Sequence, residues 1–187
     1  MNELDKLRNG EPFDGWAPEV VAQRDLVAQV LQRVSTAPLD QRADLYREIL
    51  GGLGDGSVIQ VPFVCEFGVT ITIGRSCFLN SGVTVLDGDR VTIGDHVLVG
   101  PNCQIYTAGH PLDYRRRRDW EVTTSPVTIE DDVWLGGNVI VQPGVTVGAR
   151  SVVAAGSVVT RDIPPDSLAL GSPARVIRTL TSEPPLQ

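Results

Sequence analysis

The chain has 187 residues, 42% of them apolar, a formal net charge of -7 and an isoelectric point near 4.8. This supports one sizeable soluble core and argues against a broad nucleic-acid surface, whose affinity comes from many cationic contacts to phosphate. The opening "MNELDKLRNGEPF" lacks the cationic head and apolar run of a secretory signal, and no apolar run approaches the roughly 18 residues of a membrane span, so a cytoplasmic protein with no membrane partner is expected.

Residues 1–56 read as a helical segment. Apolar side chains recur at Val20, Val27, Leu31 and Val34, then at Leu45, Tyr46, Ile49 and Leu50. Pro18 suits a first helical turn, Asp40 suits an N-cap, and "GGLGDG" from Gly51 ends the second helix.

From Val61 the pattern changes to one apolar residue every six positions: Val61, Phe67, Ile73, Leu79, Val85 and Val91. After a shift of two it resumes at Ile93, Val99 and Ile105, and after a longer break at Ile129, Leu135, Val141, Val147, Val153 and Val159. Each unit has a second, small or β-branched site, at Val97, Val133, Val139, Val145, Ser151 and Ser157 among others. A six-residue unit of this kind is a short flat strand plus a turn; three units close a triangular coil of about 18 residues, and stacked coils pair as parallel strands around a narrow core. Cys65, Cys77 and Cys103 all occupy the small site, which assigns them to packing and leaves no disulfide framework or metal motif. The last segment, 166–187, ends in the proline-bearing tail "TSEPPLQ", for which disorder is expected.

Residues 106–126 break the rhythm with "TAGHPLDYRRRRDW" inside them. A long irregular insertion in a compact domain is usually functional, and its root here is held by regular coil on both sides. The chain has two histidines. His96, in "IGDHVLVG", falls at a turn where a polar residue is ordinary; His110 falls at the root of the excursion, as a general base or as a loop-root hydrogen bond. Asn80, in "CFLNSG", can bond its own turn or serve a site. The run Arg115 to Arg118 reads as a solvated loop face, with a contact across a subunit interface as the other reading.

The repeat, together with "TAGHPL", "CFLNSG", "VWLGGNVI", "AAGSVVTRDIP" and "LGSPARVIRTL", resembles the hexapeptide-repeat acyltransferases, and over nearly the whole chain their maltose and galactoside O-acetyltransferase group. The resemblance implies a mainly β fold: a left-handed parallel β-helix at 57–165, with the excursion at 106–126 and the helical segment in front. It implies a homotrimer with acetyl-CoA as co-substrate and no metal. The reaction is direct acetyl transfer to a sugar hydroxyl without an acyl-enzyme. In that scheme His110 is the base and Asn80 steadies the reacting oxygen. Trp134, Gly136, Gly137, Ala155, Thr160 and Arg161 line the path of CoA, with Arg175 and Arg178 near its phosphates.

On the acceptor side the chain departs from the group. The family pattern Y-x-x-x-D-P-E meets "FDGWAPEV", which puts Ala17 where the aspartate belongs and leaves Asp14 as a substitute. Glu66 replaces a serine or aspartate, Phe78 stands near the asparagine, and Asp87 matches an acidic position beside the acceptor. Two other classes stay open. One is acetyl transfer to a non-sugar acceptor such as an antibiotic. The other is a non-catalytic trimeric binding module. A zinc lyase on the same fold needs three histidines around its metal, and the chain has two.

Overall fold

A computed structural model describes residues 2–181; of the tail "TSEPPLQ", all but Thr181 lies outside the described residues. The chain folds as a left-handed parallel β-helix preceded by a helical arm. Face 1 stacks Gly52–Leu53, Ile71–Ile73, Val91–Ile93, Val127–Ile129 and Thr146–Val147. Face 2 stacks Val58–Ile59, Phe78–Leu79, Leu98–Val99, Trp134–Leu135, Val152–Val153 and Ser167–Gly171, then adds Ala174–Thr179 antiparallel at its edge. Face 3 stacks Phe63–Cys65, Val83–Leu86, Gln104–Tyr106, Ile140–Val141 and Val158–Val159.

The two sites of each repeat both point inward. Val91 with Ile93, Val133 with Leu135 and Cys103 with Ile105 are all buried, and the alternate residue of each strand faces out. Burial of each such side chain contributes about 1.5–3 kcal/mol, summed along a core only one side chain deep. All three cysteines are free and buried. Burial pushes their thiols upward, away from the thiolate form a nucleophile needs.

The coil starts earlier than the period shows. Gly52–Leu53 already pairs with Ile71–Ile73, so a division at residue 57 would cut the first coil. Leu53 is the sole aliphatic side chain in that strand, which is why the repeat is silent there.

The arm has three helices, α1 (Glu3–Asn9), α2 (Pro18–Thr36) and α3 (Leu39–Arg47). Helix α2 begins at Pro18 as expected and buries Val20, Gln23, Val27, Val30 and Val34; Leu31 sits beside that stripe and is half-buried. Helix α3 starts at Leu39 with Pro38 as its N-cap, so Asp40 lies in the first turn. Proline has φ already near the value a helix entry requires, and no side-chain cap is made there. Among the described residues, no helix is long and apolar enough to cross a membrane.

The excursion has structure of its own. Thr107 closes its root: the hydroxyl donates to the Leu86 carbonyl at 2.8 Å and accepts from the Asp89 N–H at 3.0 Å, while the Thr107 carbonyl accepts from Ser125 N at 2.9 Å. Above that closure Ala108–Gly109 pairs antiparallel with Thr123–Thr124, and a one-turn helix, α4 (Tyr114–Arg118), fills the loop between them.

Candidate active site

His110 follows directly on the excursion's first strand, and its ring is exposed. Its Nδ1 lies 2.8 Å from the carbonyl oxygen of Glu121. A carbonyl can only accept, so Nδ1 donates, and the neutral tautomer compatible with this bond has its bare nitrogen at Nε2. Nε2 has no hydrogen-bond partner among the described residues.

The loop is clamped around this ring. The Glu121 side chain is paired with Arg116, whose Nε donates to Oε2 at 2.7 Å, and this pair holds Glu121 below the usual carboxylate range. The Arg117 guanidinium donates to the carbonyls of Pro111 and Leu112 at 2.8 and 2.7 Å. His110 therefore sits on a cross-braced unit, which residue types alone could not show, since most of the acceptor atoms are main-chain carbonyls.

Asn80 follows directly on the face 2 strand Phe78–Leu79, at the corner leading to face 3. Its backbone N–H donates to the Val99 carbonyl at 2.9 Å, and its amide oxygen accepts from Ser81 N at 2.8 Å. That bond fixes the amide orientation and leaves Nδ2 as a donor for a ligand oxygen. The same corner stacks the turn at Gly100 under Gly136–Gly137, and that turn under Ala154–Ala155. A Cβ on Gly100 would come within 2.5 Å of Gly137 N, and one on Gly136 within 2.6 Å of Ala155 N, so only glycine lets these turns stack backbone on backbone. Thr160 and Arg161, both exposed, lie at the next corner, across face 3 from Ala155.

Phe78, Leu98 and Trp134 stand in one outward register on face 2 and are 36%, 48% and 52% exposed. Arg175 and Arg178 lie on the edge strand of that face, opposite Leu170 and Leu168. The excursion roots at the far edge of face 3 from Asn80. Among the described residues no hydrogen bond joins His110 to Asn80, so the fold of one chain does not itself bring the two expected catalytic groups into contact.

The acceptor-side residues divide. Asp14 is exposed and caps its own turn, accepting from Trp16 N at 2.9 Å; Ala17 is buried as the N-cap of α2. Glu66 accepts from Arg24 Nε at 2.9 Å, and the Arg24 Nη1 reaches the Gly15 carbonyl at 2.5 Å while its guanidinium lies 4.7 Å over the Phe67 ring. Arg24 thus ties the Asp14 turn to Glu66. The sequence reading missed it, although its place beside the buried stripe of α2 was a usable signal.

Asp87 requires a correction. The resemblance assigns it to the acceptor pocket, but it is wholly buried with both carboxylate oxygens engaged. Oδ1 accepts from Glu66 N and Phe67 N at 2.8 and 3.1 Å; Oδ2 accepts from Gly68 N and the Thr70 hydroxyl, both at 2.7 Å. Its carboxylate holds the turn that carries Glu66 and has no exposed surface in this chain to offer an acceptor. Among the described residues, no three His, Cys, Asp or Glu side chains gather as metal ligands.

Comparison with known proteins agrees with this architecture. Residues 126–161 match the family described as the hexapeptide repeat of succinyl-transferase. The chain is 40% identical over 183 residues to the galactoside O-acetyltransferase of Escherichia coli, covering 96% of this chain and 90% of that protein. A hexapeptide-repeat acetyltransferase from Vibrio cholerae, solved with acetyl coenzyme A, superposes with a TM-score of 0.95 at 52% identity, covering 97% of this chain and 100% of the other. A maltose O-acetyltransferase from Clostridium difficile gives a TM-score of 0.85 at 34% identity, covering 97% and 99%. The chain belongs to the hexapeptide-repeat acetyltransferases, of the maltose and galactoside O-acetyltransferase type. It is an acyltransferase.

Proposed function

We propose that the protein transfers an acetyl group from acetyl-CoA to a hydroxyl of a sugar or sugar-like acceptor. The observation that carries this is the 2.8 Å approach of His110 Nδ1 to the Glu121 carbonyl, which selects the tautomer that leaves Nε2 free to act as a base on a braced loop. His110 takes the proton of the acceptor hydroxyl as its oxygen bonds to the thioester carbonyl carbon. As the carbon–sulfur bond breaks, the same nitrogen returns the proton to the departing thiolate. The Asn80 amide N–H donates to the oxygen on which charge develops. No acyl-enzyme is needed, since the three thiols are buried and, among the described residues, no serine is hydrogen-bonded to His110.

Trp134, Gly136, Gly137, Ala155, Thr160 and Arg161 are assigned to the CoA path, and Arg175 and Arg178 to its phosphates. The exposure of these residues, apart from buried Gly136 and half-buried Gly137, and the relative solved with acetyl-CoA support that assignment. The sugar acceptor draws support from the relatives named for galactoside and maltose. Thiol release from acetyl-CoA, measured against a panel of mono- and disaccharides, is expected to be sugar-dependent. Turnover confined to non-sugar acceptors such as antibiotics would replace the sugar assignment, and acetyl-CoA binding with no turnover would favour a binding module.

The assembly is assigned as a homotrimer. The outward column Phe78, Leu98 and Trp134 is an apolar strip of the kind that another subunit covers, and such contact could complete a site that one chain leaves divided between two corners. Sedimentation equilibrium is expected to show a species of three 20.1 kDa chains; a monomer would remove the shared site.

A further inference from the structure

Four arginines stand against three carboxylates in the excursion of a chain whose net charge is -7. They are not equivalent. Arg116 is paired with Glu121, and Arg117 is spent on the Pro111 and Leu112 carbonyls. Arg115 and Arg118 have no carboxylate partner among the described residues. Both of their guanidinium groups pack on the Tyr114 ring, at 5.2 and 4.9 Å from its centroid. Tyr114 is half exposed and Trp120, on the same loop, is almost fully exposed.

We propose that Arg115 and Arg118 select an acceptor sugar that carries a negative charge, a carboxylate or a phosphate. This rests on the acetyl-transfer reading and replaces the solvated-face reading of the arginine run. A guanidinium presents a planar set of donors matched to carboxylate and phosphate oxygens, and packing on an aromatic ring limits its freedom before the anion arrives. An exposed aromatic face beside it suits the apolar face of a pyranose ring. Position relative to the base is what makes the pair a selector. The Asp113 side chain caps the one-turn helix by accepting from Arg115 N at 2.9 Å. The next two arginines tie that helix to the residues flanking His110 and to Glu121, whose carbonyl holds the His110 ring. Base and arginines therefore move as one unit. An anion fixed by the arginines would present the rest of its sugar at a set distance from Nε2. Elsewhere the acidic surface of the chain repels such an acceptor, so the preference is local.

The test compares glucose, glucuronic acid and glucose 6-phosphate as acceptors for the full-length wild type and for the double variant Arg115→Gln/Arg118→Gln, at low and at physiological salt. At least one charged sugar is expected to exceed glucose by tenfold or more in kcat/KM at low salt. The margin should shrink at higher salt and fall to near unity in the double variant. The carboxylate and phosphate arms identify which anion is read. Equal kcat/KM for neutral and charged sugars in the wild type would overturn the proposal. So would a double variant that raises the KM for acetyl-CoA and keeps the sugar preference, because the arginines would then serve the cofactor phosphates. Calorimetric binding of the same three sugars to the protein with CoA present reads the contact without turnover. Preferential binding of a charged sugar without turnover sinks acetyl transfer and retains the arginine pair; equal binding sinks the pair alone.

Discussion

Replacing His110 by alanine is expected to lower kcat for acetyl transfer by about 10²–10⁴-fold, the usual contribution of a positioned general base. The KM for acetyl-CoA should change little, because among the described residues no residue of the proposed CoA path is hydrogen-bonded to the His110 ring. Alanine alone does not separate the two roles open to this residue, since it removes both the base and the bond to the Glu121 carbonyl at 2.8 Å. His110→Asn does. The asparagine amide nitrogen falls close to where Nδ1 stood and can donate to the same carbonyl, while nothing occupies the place of Nε2. If His110 acts as the base, asparagine is as impaired as alanine although the loop keeps its brace. If the ring serves only to hold the loop root, asparagine retains most of the activity and alanine does not. Stopped assays of thiol release on the wild type and both variants, with thermal unfolding to confirm that all three are folded, give the answer directly.

The repeat was legible because a core one side chain deep permits no substitute for an inward apolar residue every six positions. The same logic located the three cysteines, whose buried small-site positions are set by the coil and not by chemistry. It failed at Gly52–Leu53, where the first strand is held by pairing to Ile71–Ile73 and by the arm above it. The excursion was legible as a break in rhythm, yet its internal order was not. Thr107 closes the root through bonds to a backbone carbonyl and a backbone N–H, and His110 is oriented by another carbonyl, which no residue type announces. Acidic residues were the hardest to sort. Asp14 and Asp87 are both aspartates near glycine in turn-like sequence, but one is exposed and the other is sealed under a ring of donors. Only the convergence of Glu66, Phe67, Gly68 and Thr70 from the coil beneath distinguishes them.

That convergence makes Asp87 the position where a single polar substitution should cost the most stability. Four donors point at one carboxylate, three of them backbone N–H groups that have nowhere else to turn. Gly68 cannot rearrange easily: its φ is +70°, and a Cβ there would approach the Ile49 carbonyl oxygen to 2.6 Å. Asp87→Ala strands the three backbone N–H donors, while the Thr70 hydroxyl keeps the backbone carbonyl of residue 87 at 2.8 Å, and a loss of about 4 kcal/mol of unfolding free energy is expected. Asp87→Asn keeps the shape but puts an NH₂ group where one oxygen was. If the remaining oxygen keeps Glu66 and Phe67, the new NH₂ faces the Gly68 N–H, donor against donor, while the Thr70 hydroxyl can rotate to accept. One orphaned buried N–H in place of three lowers the expected cost to about 2 kcal/mol. Urea unfolding at fixed protein concentration measures both. A ranking of alanine well below asparagine, with asparagine below wild type, is what a buried donor cradle requires. Near-equal stability of all three would mean that the carboxylate serves the ligand after all, and activity would then fall in both variants without any change in the unfolding midpoint. Because Asp87 holds the turn that carries Glu66, and Glu66 holds Arg24 against the Asp14 turn, the asparagine variant is also expected to loosen the helical arm before the coil unfolds. Hydrogen exchange at residues 13–24, faster in Asp87→Asn than in wild type while the coil amides stay protected, would register that separation.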